Sequence, residues 1–267
     1  MSAEEQFVRS SMLLGEDTIV SLHTKRVAVF GVGGVGGFVC EALVRSGIGA
    51  FDLIDDDRVA VSNLNRQIVA LHSTIGQYKV DVMKARMLDI NPNAQVNVYP
   101  CFFLPENADQ FPFERYDYVV DAIDTVTAKI ELILRCKEAG VPIISAMGAG
   151  NKLDPSAFVV TDIYKTEGCP LARVMRRELK KRGVESLKVV FSKEKAMTPI
   201  VPISKNEDEK ANGRGTQELA CEMTQDVTKA GDVVHAKRQT PGSVAFVPAA
   251  AGLVLAGEVI RDLAGIR

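Results

Sequence analysis

No two of the five cysteines (Cys40, Cys101, Cys136, Cys169 and Cys221) are spaced as CxxC. That absence excludes a structural zinc site built on thiolate pairs, and the scatter argues against a disulfide framework. No secretory leader is recognisable at the start, so a reducing cytoplasm is the expected compartment. The chain also lacks an excess of charge. Its 32 Lys and Arg against 34 Asp and Glu leave a net charge of −2, so any nucleic acid must be held by a local patch. A membrane-length apolar run is missing too. Residues 244–260 are strongly apolar, yet Pro241 and Pro248 interrupt the approach, and Glu258, Arg261 and Asp262 end it. The helix left after Pro248 is shorter than the ~20 residues a span needs, which points to a buried or interface helix and makes membrane contact an unfavoured reading. Internal repeats and low-complexity tracts are absent.

What is present alternates. Apolar, β-branched runs at 26–31, 51–55, 96–99, 118–123 and 141–146 read as strands, and helical spacing fills 34–46, 77–90 and 127–139. The second helix stops at Asn91-Pro92, where the proline forbids continuation. Strands alternating with helices give a doubly wound α/β fold with a mostly parallel sheet covered on both faces. Beyond Gly150, further strands are expected at 157–163 and 187–191 with a charged helix between them. The chain therefore reads as one domain, with a nucleotide-binding core over 1–150 and an extension over 151–267. That extension holds a polar segment, 205–240, too long for an ordinary connection.

Gly31, Gly33, Gly34, Gly36 and Gly37 lie between the first strand and the first helix of the core. Glycines there permit a tight turn and let backbone N–H groups reach phosphates at the positive helix end. Asp55, closing the second strand, is placed for ribose hydroxyls. These features alone fit a dinucleotide site equally well. The continuation Asp55-Asp-Asp57-Arg-Val-Ala-Val-Ser-Asn63-Leu-Asn-Arg66-Gln67, then Lys79 at a helix start and Asp124 past the fourth strand, has no task in hydride transfer. Two cations and several carboxylates beside a phosphate loop suit triphosphate chemistry. Arg66 and Lys79 can neutralise phosphate oxygens, and Asp124 can hold Mg²⁺.

At these residues the chain resembles the ThiF/MoeB/ubiquitin-activating-enzyme superfamily, Rossmann-like enzymes that activate carboxylates as acyl-adenylates. The resemblance implies ATP with Mg²⁺, ribose contact at Asp55, phosphate contacts at Asn63, Arg66 and Lys79, and a catalytic, metal-linked Asp124. Asp57 and Gln67 fall inside the same nucleotide motif. Arg9 matches the arginine such enzymes insert into the neighbouring subunit's site, which implies a homodimer. Thr125 departs from the pattern, since many relatives carry Asn after that aspartate.

Within the superfamily, the absence of CxxC sets the chain apart from the sulfur-carrier activators. Asp154-Pro-Ser, Val-Thr-Asp162-Ile-Tyr-Lys165-Thr, Pro170-Leu-Ala-Arg173 and Gly242-Ser-Val-Ala-Phe-Val-Pro248 are similar to the tRNA threonylcarbamoyladenosine dehydratases. That branch implies adenylylation of the threonylcarbamoyl carboxylate on adenosine 37 of tRNA. The neighbouring carbamoyl oxygen then closes a five-membered ring and expels AMP. A local feature agrees. Residues 173–195 carry six net positive charges, leaving −8 elsewhere, and Arg173, Arg176, Arg177, Lys180 and Lys181 share one helical face. The same ridge also reads as a solvated helix face. Cys169 and Cys221 are the two thiols to consider for a covalent or sulfur-relay role, with a cysteine desulfurase as the partner; the other three read as core. Three rival readings stand beside this one: activation of a ubiquitin-fold sulfur carrier's terminal glycine, an NAD-dependent oxidoreductase, and a catalytically idle scaffold.

Overall fold

The structure, a computed structural model, describes residues 5–200 and 241–266. The polar segment 205–240 and Cys221 lie outside the described residues. Seven strands form one sheet: β1 Arg26–Phe30, β2 Ala50–Ile54, β3 Gln95–Tyr99, β4 Tyr118–Asp121, β5 Ile143–Ala146, β6 Phe158–Asp162 and β7 Lys188–Ser192. Their order is β3-β2-β1-β4-β5-β7-β6. All neighbours are parallel except β6, which runs antiparallel to β7. Residues from both halves of the chain thus share one sheet. β1, β2 and β4 are buried along nearly their whole length, as strands covered on both faces must be, while the edge strand β3 alternates.

Helices α1 Val8–Leu14 and α2 Glu16–His23 precede the sheet. α3 Gly36–Arg45, α4 Lys79–Ile90, α5 Val126–Ala139, α6 Pro170–Lys181 and α7 Phe246–Leu263 flank it. One core joins α3, α4 and α7 to the strands through Val39, Leu43, Met83, Leu255 and Val259. On the opposite face Phe30 meets Phe103, Phe111 and Phe113 under α5, the first pair edge-to-face at 5.0 Å. Such a pair adds about 0.5–1.5 kcal/mol to the burial itself. α6 closes a third cluster with Ala172, Met175 and Leu179 against Ile133 and Phe191.

The strand positions read from the sequence hold to within a residue or two. The expected start of the last helix does not. α7 begins at Phe246 and takes Pro248 into its first turn. The amide that proline lacks would have no intrahelical acceptor there, so the ring costs nothing. No helix among the described residues is long and apolar enough to cross a membrane.

Candidate active site

The chain runs outward from β1 to β3, then returns to β4 on the other side of β1. Between β1 and β4 the carboxyl ends of the sheet part, which is where open α/β sheets take ligands. Gly31 leaves β1 with φ +90°, and a β-carbon there would stand 2.6 Å from the carbonyl oxygen of Ala122 beyond β4. Gly36 is tighter still, since a β-carbon would come within 1.7 Å of the Gly31 oxygen. Side chains at either position would push the phosphate loop open, which is why glycine stands at both. Gly37 serves packing, with Ile68 2.9 Å from its would-be β-carbon.

A continuous line of contacts leads from this loop to α4. The Val32 N–H donates to Asp55 Oδ2 at 2.7 Å, and the Asp57 N–H donates to Asp55 Oδ1 at 2.8 Å. Burial pushes the Asp55 carboxyl above the usual carboxylate range, while Lys79 and the two N–H donors oppose it. Asp57 Oδ2 in turn holds Lys79 Nζ at 2.8 Å, and Lys79 is only 4% exposed. Arg58 stacks its guanidinium 3.8 Å over the Tyr78 ring, fastening the start of α4 to the stretch after β2. The carboxylates of Asp55, Asp56 and Asp57 come close together, but backbone amides already engage Asp55 and Lys79 engages Asp57. They fit a ribose-and-phosphate frame better than a metal cage.

Asn63 is buried, and its Oδ1 accepts the Ala60 N–H at 3.1 Å. Arg66 donates to the Ser62 carbonyl at 2.8 Å and to Asn65 Oδ1 at 3.0 Å, and its Cγ lies 3.7 Å from the would-be β-carbon of Gly34. Gln67 is buried, and among the described residues its Oε1 has no hydrogen-bond partner, while its Nε2 lies 3.8 Å from the would-be β-carbon of Gly33. An orphaned acceptor beside a glycine loop is a polar group with no protein partner to satisfy it.

Beyond β4, Asp124 is exposed and Thr125 Oγ1 donates to its Oδ1 at 3.3 Å. Behind it, Asp121 is fully buried between Lys129 Nζ at 2.9 Å and the Ser145 hydroxyl, and its Oδ1 accepts the Ile123 N–H at 3.2 Å. The turn that carries Asp124 is therefore anchored from below. Lys129 reads in sequence like any exposed helical lysine, and only its place four residues into α5 turns it inward.

Three further features concern residues named from sequence. Arg9 is exposed on α1. Phe7, just before it, packs against His23 and the Gly47 turn at the amino edge of the sheet. Arg9 is thus not brought together with Asp55, Lys79 and Asp124 of its own chain. On α6, Arg173, Arg177, Lys180 and Lys181 are exposed, but Arg176 is not a free member of that face. Its guanidinium turns back onto the Thr166 carbonyl at 2.8 Å and onto the Thr166 hydroxyl. Glu178, on the buried side, gathers Arg177, Lys181 and Arg182, which hold its carboxyl down at about 2. Burial pushes the Cys40, Cys101 and Cys136 thiols up, away from the thiolate form.

One contributor was not anticipated. Pro248 of α7 lies 3.3 Å from the would-be β-carbon of Gly34, and Gly252 lets α7 approach the Val35 carbonyl. Asn65 Nδ2 also donates to the Ser243 carbonyl at 3.0 Å. The small-residue run Ala249-Ala-Ala-Gly252 is the one sequence signal of so close an approach.

A glycine loop at the switch point of a doubly wound sheet, with an acid on the second strand and a buried lysine linked to it, defines a Rossmann-like nucleotide-binding protein. The chain belongs to the ThiF family, whose model matches residues 7–267. A tRNA threonylcarbamoyladenosine dehydratase of Bacillus subtilis (strain 168) is 42% identical over 259 residues, covering 97% of this chain and 94% of that protein. One from Escherichia coli (strain K12) is 39% identical over 203 residues, covering 73% and 76%. The solved structure of the E. coli enzyme, TcdA, in complex with ATP superposes with a TM-score of 0.80 at 32% identity, over 98% of this chain and 95% of that one. Its complex with AMP gives a TM-score of 0.80 at 31% identity and the same coverage.

Proposed function

We propose that this protein is an ATP-dependent tRNA threonylcarbamoyladenosine dehydratase. The observation that carries the reading is the contact line from the glycine loop through Asp55 and Asp57 to buried Lys79. It ties a phosphate cradle to a fixed cation in a chain whose similarity to dehydratases runs nearly end to end.

In this reading Gly31, Gly33, Gly34 and Gly36 cradle the phosphates and Asp55 receives the ribose. Asn63 and Gln67 line the nucleotide, and Gln67 Oε1 gains the donor it lacks. The threonylcarbamoyl carboxylate attacks the α-phosphorus, forming a C–O–P bond as the bond to pyrophosphate breaks. Arg66 and Lys79 stabilise the charge that grows on the phosphate oxygens. Lys79 keeps Asp57 through one of its three N–H donors and turns another to the phosphate. The acyl-adenylate then holds a good leaving group beside the carbamoyl group of the same side chain. Ring closure expels AMP and one proton, and its intramolecular geometry makes an enzyme nucleophile unnecessary.

Mg²⁺ fits the donor set, because Asp124 offers an exposed carboxylate oxygen at the loop mouth and such ions bind through one or two carboxylates plus phosphates. Bound there, it would supply further neutralisation of phosphate charge. The hydroxyl of Thr125 steadies Asp124 by donating to its Oδ1.

The protein acts as a homodimer in which Arg9 serves the partner's site. Support comes from Arg9 lying away from its own site, and from exposed Met12 (78%), Leu13 (87%) and Val20 (64%) around it on α1 and α2. The exposed cations of α6 bind tRNA phosphates, and a cytoplasmic location follows from that substrate. A sulfur-relay or desulfurase partner is not required by the chemistry.

The test is to incubate the protein with Mg-ATP and tRNA bearing threonylcarbamoyladenosine, then weigh the nucleosides after mild digestion. Loss of one water from that nucleoside, only with ATP present, supports the reading. An unchanged mass, with ATP split by an added sulfur-carrier protein, would replace it with carrier activation.

A further inference from the structure

A cavity of about 320 Å³ opens beyond β5, outside the nucleotide residues already described. Gly148, Gly150 and Lys152 form one wall, Cys169 and Leu171 at the head of α6 form another, and Pro241 closes the rim. Its position is set by the sheet. Asp121 on β4 and Ser145 on β5 are register partners. Asp124 and Gly148 each follow three residues further on, so the cavity and Asp124 open at the same carboxyl edge. Residues 241–248 run between the two sites. Pro241 abuts Gly150, Asn151 and Gly242 exchange hydrogen bonds of 2.7 and 2.6 Å, Ser243 binds Asn65, and Pro248 touches the phosphate loop at Gly34. Asn151 holds φ +58°, the left-handed region that non-glycine residues rarely enter, and those reciprocal bonds keep it there.

We propose that this cavity receives the threonylcarbamoyl group of the substrate base, so that its carboxylate reaches the α-phosphate beside Asp124 while the group's own atoms are shielded. The inference rests on the dehydratase reading and adds the acyl half of the site to it. Size decides against a whole nucleoside. At about 30 Å³ for each water-sized unit the cavity holds roughly ten non-hydrogen atoms, which suits a threonylcarbamoyl group and leaves no room for a purine with its ribose. Chemistry agrees. Leu171 and Pro241 are apolar partners for the threonine methyl, and Lys152 lines the same cavity. Most of the Lys152 side chain is buried, and its Nζ donates to the Glu194 carbonyl, which fixes that cation in place. Exclusion of water here would also protect an acyl-adenylate from hydrolysis before the ring closes.

Gly148 supplies the test. Among the described residues a β-carbon there meets only Cys169 Sγ, at 3.8 Å, so a larger side chain starts clear of backbone at the cavity wall. Gly148→Val, and independently Leu171→Trp, are assayed with tRNA carrying threonylcarbamoyladenosine and with tRNA carrying the smaller glycylcarbamoyl analogue. ATP affinity and affinity for unmodified tRNA are measured on the same preparations. The expected result is a fall of about tenfold or more in kcat/KM for the threonyl substrate, a relative gain for the glycyl analogue, and both affinities within about twofold of wild type. Turnover within twofold of wild type in both variants overturns the proposal. So does an equal loss for both substrates, or a loss of ATP affinity, either of which would assign the cavity to the nucleotide or to stability. If the wild-type protein fails to dehydrate the threonyl substrate at all, the dehydratase reading falls instead.

Discussion

Lys129 Nζ and Asp121 Oδ2 lie 2.9 Å apart with both side chains wholly out of solvent, directly beneath the turn that presents Asp124. Removing one member of such a pair strands the other charge in a low dielectric. Asp121→Ala and Lys129→Met are each expected to lower the unfolding free energy by about 3–5 kcal/mol, and the double variant by less than their sum. Urea titrations of the three variants check this, and additive losses would show that the two charges are not coupled.

Lys79 should behave differently. Its partner Asp57 is one-third exposed and can be rehydrated, so Lys79→Ala is expected to be a mild stability change but a severe catalytic one. Loss of a fixed cation from developing phosphate charge corresponds to about 10²–10³ in kcat. Pyrophosphate release under saturating ATP measures it, and a fall of less than fivefold would remove Lys79 from the site.

The glycines of the loop separate by how much room each has. Gly36→Ala places a methyl within 1.7 Å of backbone oxygen and should abolish ATP binding. Gly34→Ala meets Pro248 at 3.3 Å, where a shift of a few tenths of an ångström suffices. Calorimetric titration with ATP should therefore find a measurable affinity for the second variant and none for the first.

Glu178 predicts a pH dependence. Its carboxyl is held well below the ordinary 4.5, at about 2, first by Arg182 and Lys181. A depressed acid contributes stability that is fully present above its unfolded value and fades as pH falls through the folded one. Glu178→Gln should thus be less stable than wild type at pH 6, and the gap should narrow as pH falls from 4.5 towards 2. Melting temperatures across that range decide it; a constant gap would mean that packing, not charge, is lost.

On α6 the prediction is one of salt dependence. Arg173→Ala and Lys180→Ala should each weaken tRNA binding and flatten the plot of log affinity against log salt by about one phosphate contact. Arg176→Ala should leave that slope unchanged, because its guanidinium is committed to Thr166. Equal slopes for all three variants would make the ridge a solvated face.

The division between what was legible in the sequence and what was not follows from range. The strands of the sheet and the segment from Asp55 to Lys79 are local patterns, so period and motif locate them. The exposed face of α6 is also local, yet Arg176 leaves it for Thr166, a contact that helical spacing alone does not report. Lys129 and Ser145 come to Asp121 from the next helix and the next strand. The α7 contact with the phosphate loop comes from further still. Burial of a lysine and contact between distant segments are properties of the assembled sheet, and no window of neighbouring residues contains them.

The docking of α7 onto the phosphate loop sets an order in time. Asn65 and Ser243 are separated by 178 residues, and Pro248 and Gly252 follow later still. During synthesis the glycine turn leaves the ribosome early, but the wall that presses on Gly34 and Val35 does not yet exist. The wall behind the phosphate loop is therefore completed late in translation, after the whole sheet has been made. A nascent chain stalled before residue 243 would carry the whole ATP motif and still lack the completed pocket.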